Sequence, residues 1–254
     1  MDRAVNDAPP REELLTVIVP CLNEEGAIAS TIADILAIAD TLPLPVEVCM
    51  VDDGSKDGTR AEMQRLCEAH PRCRMRVNER NLGVGRSVLD TFPSVRPGSW
   101  VTVIPGDNEF RFSSIHKFLA LRDRYDVILG YFGNPIIRPL VRRLSSQAFT
   151  KLACLVHGYS FRYLNGMKLY RVEAFAGIEV HSRGHAYNAE LVAKAMLRDP
   201  TLRFGEAPFI ARGRASGRSN AFRPKSILQA IRELKRGVEA VAAYREQVIL
   251  EQPR

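Results

Sequence analysis

Two short apolar runs, each stopping abruptly at acidic and small polar residues, limit what this chain can fold into. Thr16-Val17-Ile18-Val19 runs into Pro20-Cys21-Leu22-Asn23-Glu24-Glu25, and Val46 to Val51 runs into Asp52-Asp53-Gly54-Ser55. Nearly continuous β-branched runs belong to strands covered on both faces, as in parallel sheets. In open sheets of that kind, ligands gather beyond the carboxyl ends of the strands, which is where these acids would fall. One such strand end is common. Two adjacent ones of this composition form a much narrower pattern.

Downstream, strand and helix signals keep alternating to about residue 130. Ile28, Ile32, Ile35 and Ala39 share one helical face, with Glu24 and Glu25 well placed near its N-terminus. Pro43 and Pro45 close that unit. Asp57-Gly58-Thr59 opens a second helix, with Asp57 or Thr59 as its cap and Met63, Leu66 and Cys67 turned inward. Arg74 to Val77, Trp100 to Ile104 and Asp126 to Gly130 read as further strands. Strands spaced by helices predict an α/β fold with a doubly wound, mostly parallel sheet and helices on both faces. Beyond residue 131 the pattern changes. Arg138 to His157 reads as a basic amphipathic helix, Leu202 to Ile210 as a strand, and 212–219 as a Gly/Ser/Arg loop. From Ser226, apolar residues Ile227, Ile231, Leu234, Val238 and Val241 recur at helical spacing beside Lys225, Arg232, Lys235 and Arg236.

A chain of 254 residues, 46% of them hydrophobic, can bury a full core. The formal net charge of +7 points to an anionic partner without choosing among phosphates, nucleic acid and acidic lipid. Five scattered cysteines without paired CxxC spacing read as reduced thiols, which predicts a cytoplasmic protein. Residues 1–13 are polar, carry Pro9-Pro10 and are expected to be flexible. No apolar run reaches the ~18 residues of a spanning helix.

Chemistry-bearing groups concentrate at the strand ends. Asp52 and Asp53 can accept hydrogen bonds from a base or ribose, although Asp-Gly-Ser-Lys-Asp-Gly is also a turn composition. In Asn81-Leu82-Gly83-Val84-Gly85-Arg86, the glycines permit close backbone approach and Arg86 can offset diphosphate charge; a plain helix start is the alternative. Pro105-Gly106-Asp107-Asn108-Glu109 places two carboxylates two residues apart, enough to engage a hard cation. His157, His181 and His185 show neither ligand nor triad spacing.

Taken together, these segments resemble family 2 glycosyltransferases of the GT-A fold, inverting enzymes that use nucleotide-sugars, and within them the dolichol-phosphate mannose synthase-like, polyprenyl-phosphate branch. Asn165-Gly166-Met167-Lys168-Leu169-Tyr170-Arg171 resembles the family's Ser-Gly-Phe-Arg-x-x-Arg. Glu206-Ala207-Pro208 with Arg214-Ala215-Ser216-Gly217-Arg218-Ser219 resembles Glu-x-Pro…Arg-x-x-Gly-x-Ser. The likeness covers residues 14 to about 220. It departs at Pro105 and Glu109, where the branch commonly has the first Asp and the Gln of Asp-Ala-Asp-Leu-Gln.

The resemblance implies a GT-A domain over 14–222, with 14–130 as the nucleotide-sugar half and 131–222 as the acceptor half, followed by an amphipathic helix over 223–254. It implies a donor site from Pro20, Asn23, Glu24, Asp52, Asp53, Gly83, Gly85, Arg86 and Gly106, with Asp53 reading the base. A divalent cation, Mg2+ or Mn2+, would sit on Asp107 and Glu109. Asp107, Glu190 and Arg214 would carry the chemistry, with Glu190 as base for a hydroxyl acceptor. Arg138, Arg142, Arg143, Lys168 and Ser219 would meet an acceptor phosphate. The partners implied are a GDP- or UDP-sugar and a polyprenyl (dolichyl or undecaprenyl) phosphate, with no nucleic acid and a peripheral place on the cytoplasmic membrane face. The processive Gln-x-x-Arg-Trp motif is absent, since the only Trp is Trp100, so one sugar is expected per encounter. A transferase acting on a soluble hydroxyl acceptor and a non-catalytic nucleotide-sugar binder are the alternatives. A nucleotidylyltransferase ranks low, because Pro20 to Glu25 contains no glycine.

Overall fold

The computed structural model describes residues 13–137, 139–182, 184, 186–212 and 224–251, with the side chains of the last segment described from 232 to 250. Strands β1 (Leu15–Cys21), β2 (Val46–Asp52), β3 (Cys73–Val77), β4 (Trp100–Val103), β5 (Val127–Phe132), β6 (Lys168–Arg171) and β7 (Phe204–Phe209) form one sheet ordered β3-β2-β1-β4-β6-β5-β7. β6 runs antiparallel to both neighbours, and the other described pairs are parallel. The fold is the expected α/β class with a mixed, mostly parallel sheet.

Helices α1 (Ile28–Ala39), α2 (Thr59–Ala69) and α4 (Ile115–Leu119) cover one face; α3 (Val84–Leu89), α6 (Val172–Phe175) and α7 (Tyr187–Arg198) cover the other. α1 buries Ile28, Ile32 and Ile35 completely against Val17, Val19 and Met50. Each such side chain contributes roughly 1.5–3 kcal/mol relative to exposure. On the other face Ile18, Cys49, Val51 and Val101 meet Val88, Tyr187 and Val192. That both faces are apolar explains why β1 and β2 read as continuous rather than alternating runs.

Three structural features go beyond the sequence reading. Lys168 to Arg171, read as a motif, is strand β6, with Leu169 in one core layer and Tyr170 in the other. The division at residue 130 falls inside β5, and segments on both sides of it supply strands to the same sheet. α7 was not foreseen. The basic helix is α5 (Leu140–His157), starting after Arg138, which lies outside the described residues. The long α8 (Pro224–Glu251) packs on α7 and buries Leu234 and Val241.

Candidate active site

Side chains alternate along β2, so the two adjacent acids at its end part company. Asp52, fully buried, turns to the α1–α2 side, accepting the Ser55 N–H at 2.8 Å and Arg60 Nε at 2.9 Å. Burial pushes its carboxyl up, but the Ser55 bonds and the Arg60 guanidinium outweigh that and hold it below the usual range. Asp53 turns to the other face. It accepts Asn78 Nδ2 at 3.0 Å, the Leu82 N–H at 2.8 Å and the Gly83 N–H at 2.9 Å. Asp53 therefore clamps the segment entering α3, where Gly83 adopts a φ of 90° that a side chain would resist.

The β1–α1 and β2–α2 loops are sewn together. The Asn23 N–H donates to Ser55 Oγ, the Lys56 N–H to Asn23 Oδ1, the Glu24 N–H to Thr59 Oγ1 and the Gly58 N–H to Glu25 Oε2. Asn23 itself takes a φ of 58°. At the third strand end, the Gly106 N–H donates to the Pro20 carbonyl at 3.1 Å, and Gly106 accepts from Thr31 Oγ1 at 2.8 Å. A Cβ on Gly106 would come within 2.6 Å of Cys21 Sγ, so glycine is required for this approach. The Cys21 thiol is pushed up by burial and then by the charges of Glu24, Asp52 and Asp107. The ends of β1, β2 and β4 thus meet at Cys21, which stands opposite Asp52 and against Gly106, the residue before Asp107.

In the loop after β4, Asp107 Oδ1 accepts the Glu109 N–H at 3.1 Å, and Glu109 lies 3.5 Å from Arg142 of α5. Among the described residues no three His, Cys, Asp or Glu side chains gather as a metal-binding group. Two carboxylates nevertheless fit a small hard cation, which takes one or two from protein and the rest of its shell from phosphates and water.

Residues 16–178 match the model of glycosyl transferase family 2. The chain belongs to that family. Among curated relatives of this glycosyltransferase, an undecaprenyl-phosphate 4-deoxy-4-formamido-L-arabinose transferase of Shewanella sediminis is 22% identical over 61% of the chain, which spans only 50% of that relative. The dolichol-phosphate mannosyltransferase of Saccharomyces cerevisiae is 25% identical over 87% of the chain and 85% of its own length. Among solved structures, glucosyl-3-phosphoglycerate synthase from Mycobacterium tuberculosis in complex with UDP superposes with a TM-score of 0.67 at 18% identity, covering 89% of this chain and 80% of its own. That likeness establishes the GT-A fold. The same enzyme has been solved with Mn2+, UDP and glucosyl-3-phosphoglycerate.

The remaining candidates of the glycosyltransferase are placed unevenly. Gly85 faces Tyr187, whose Cβ would lie 2.7 Å from an added Cβ, so it serves the α3–α7 approach. Arg86 is exposed and paired with Asp90 at 2.7 Å. Lys168 is buried at the start of β6, donates to the Gly166 carbonyl at 3.0 Å, and is pushed down to about 7 by burial. Glu190 lies at the α7–α8 interface and accepts the His181 N–H, the Ser182 N–H, Ser182 Oγ and Lys194 Nζ. Burial pushes its carboxyl up, but those donors, Lys194 first, leave it below the usual range. A buried acid with both oxygens so engaged is a poor general base. Arg142 and Arg143 are half-buried on α5; Arg138, Arg214 and Ser219 lie outside the described residues. Asn78, Arg60 and Arg212 were not foreseen, because their importance lies in partners remote in sequence.

Among the described residues no helix is long and apolar enough to cross a membrane. α5 is unusual in another way: Leu140, Val141, Leu144, Leu152 and Leu155 form an exposed apolar stripe, with Leu155 80% exposed. α8 does the reverse with Leu234 and Val241, which it buries.

Proposed function

We propose that this chain transfers a sugar, with inversion and one residue at a time, from a nucleotide-diphospho-sugar to a polyprenyl phosphate at a membrane surface. The observation that carries this reading is the meeting of three acid-bearing strand ends: Cys21 of β1 stands opposite Asp52 of β2, and Gly106, the neighbour of Asp107, bonds to the Pro20 carbonyl of β1. In this reading, the donor's nucleoside lies over the sewn β1–α1 and β2–α2 loops and its diphosphate reaches Asp107 and Glu109. A divalent cation bound there supplies charge neutralisation for the departing diphosphate.

The acceptor phosphate oxygen attacks the anomeric carbon as the bond from that carbon to the diphosphate oxygen breaks, and the electron pair leaves with the nucleoside diphosphate. A phosphate monoester with a second pKa near about 6 is already ionised at neutral pH, so no protein base is required. Two features support a phosphate on a lipid over a hydroxyl acceptor. Glu190 is fully engaged by its donors, and α5 presents an apolar stripe while Arg142 on the same helix touches the Asp107–Glu109 loop. The names of the distant relatives, dolichol- and undecaprenyl-phosphate transferases, point the same way.

The test is transfer from a panel of UDP- and GDP-sugars to a short polyprenyl phosphate, with Mn2+ or Mg2+ added. Lipid-linked product from wild type, lost in Asp107→Ala and retained at reduced level in Glu109→Gln, is the expected result. Glycosylation of a soluble hydroxyl acceptor in preference to the lipid phosphate would overturn it.

A further inference from the structure

Resting on the reading of Asp107 and Glu109 as the ion-binding loop, we propose that Arg212 is the positioning residue that sets the aim of those two carboxylates. Arg212, three residues past the end of β7, grips the loop by two groups and α1 by a third. Its main-chain N–H donates to the Glu109 carbonyl at 2.6 Å, its Nη1 donates to Asn108 Oδ1, and its Nη2 donates to Asp34 Oδ1 of α1 at 2.6 Å. The other Asp34 oxygen accepts the Phe112 N–H at 2.9 Å, so one acid of α1 holds both Arg212 and the far end of the loop. The neighbouring backbone pairs as well, through a Phe110–Ala211 bridge and the Arg111 N–H on the Ile210 carbonyl at 3.0 Å.

Asn108 is the centre of this arrangement. It stands between the two carboxylates and has a φ of 55°, in the left-handed region that Asn tolerates better than most residues. Its amide is held on both sides, Oδ1 by Arg212 and Nδ2 on Ser30 Oγ at 3.0 Å. A turn fixed at its middle residue fixes the directions of the residues before and after it. Because Asp34 matches the Arg212 charge, the clasp adds no net positive charge to repel a cation. Between Pro105 and Phe110 the loop offers two carboxylates, Asp107 and Glu109, so their aim matters. Groups that orient metal ligands without touching the metal typically change affinity by about 10–100-fold when removed.

The experiment is a titration of Mn2+, with UDP or GDP present, following the resonance of free Mn2+ in the full chain. Arg212→Met is expected to weaken Mn2+ by about 10-fold or more, and Arg212→Lys less, since Lys keeps the charge but loses the fork. Nucleotide affinity without metal is expected to stay within about twofold of wild type, a separation that general loosening of the fold would not produce. Asp34→Asn, which keeps an acceptor for Phe112, carries the same expectation should Arg212→Met fail to fold. A folded Arg212→Met or Asp34→Asn that binds Mn2+ as wild type does overturns the role of Arg212. Wild type that fails to bind Mn2+ overturns instead the reading of the loop itself.

Discussion

Asp53 and Gly83 are joined by a 2.9 Å hydrogen bond from the glycine amide to the carboxylate, and the same carboxylate holds Asn78 and the Leu82 amide. An acid expected to read a base is therefore first the brace of the loop that enters α3. The two tasks are compatible, since a carboxylate has about four acceptor positions. The bracing nevertheless changes what a substitution there should do.

Asp53→Ala takes the acceptor from the Leu82 N–H and one of two acceptors from Asn78 Nδ2, which keeps Ser87 Oγ, and from the Gly83 N–H, which keeps Asn81 Oδ1. One donor left without an acceptor costs about 1–3 kcal/mol, so a loss of that order is expected in urea unfolding. The donor KM should rise more than kcat falls, as when binding shared by ground and transition states is lost. An unchanged unfolding midpoint would remove the brace.

Glu190 and Lys194 form a 2.8 Å pair with side chains only 0% and 3% exposed. Lys194→Met, which strands the buried acid, should cost about 3–5 kcal/mol, and the double variant Glu190→Gln/Lys194→Met less. Because the folded carboxyl is held below its ordinary value of 4.5, its stabilisation is complete above that pH and disappears as the pH falls through the lowered value. Acid unfolding of wild type and Glu190→Gln should therefore converge at low pH. If Glu190→Gln instead keeps its stability and loses turnover by 100-fold or more (on the order expected for a missing base), Glu190 belongs to the chemistry.

Lys168 has the opposite sign. Its folded value of about 7 lies below the ordinary 10.5, so burying it charged destabilises the fold fully below pH 7, and the penalty fades between 7 and 10.5. Lys168→Met should therefore raise Tm more at pH 6 than at pH 10. Thermal unfolding at the two values checks this, and an equal shift at both would contradict it. An acceptor phosphate that reaches Lys168 would favour the ammonium, so binding near pH 8 should draw a proton from buffer, visible as a buffer-dependent heat.

The α5 stripe predicts binding to anionic liposomes at low salt, released as salt rises, with each basic residue near the surface contributing roughly 1 kcal/mol. Leu144→Glu with Leu155→Glu should abolish co-sedimentation without lowering Tm, since both side chains are exposed at 56% and 80%. Binding that survives this pair of changes would move the membrane contact elsewhere.

The outline of this protein was legible locally. Strands β1 and β2 announce themselves because both faces are buried, α1 because Ile28, Ile32 and Ile35 repeat at 3.6, and the position of the acids because each follows directly on a strand. Such signals depend only on near neighbours in the chain, and those are what a sequence displays. Partners across the fold are different. Nothing in the spacing says that Asp52 meets Arg60 while Asp53 meets Gly83, or that Arg212 reaches back 178 residues to Asp34. The strand character of Lys168 to Arg171 was likewise hidden, because four residues between two others of the sheet need no pattern beyond Leu169 facing one core and Tyr170 the other. The two amphipathic helices make the point most clearly. α5 and α8 both carry an apolar stripe beside basic residues, yet α7 covers that of α8 around Leu234 and Val241 and leaves that of α5 open. Periodicity fixes that a helix has an apolar face; only packing decides what lies against it.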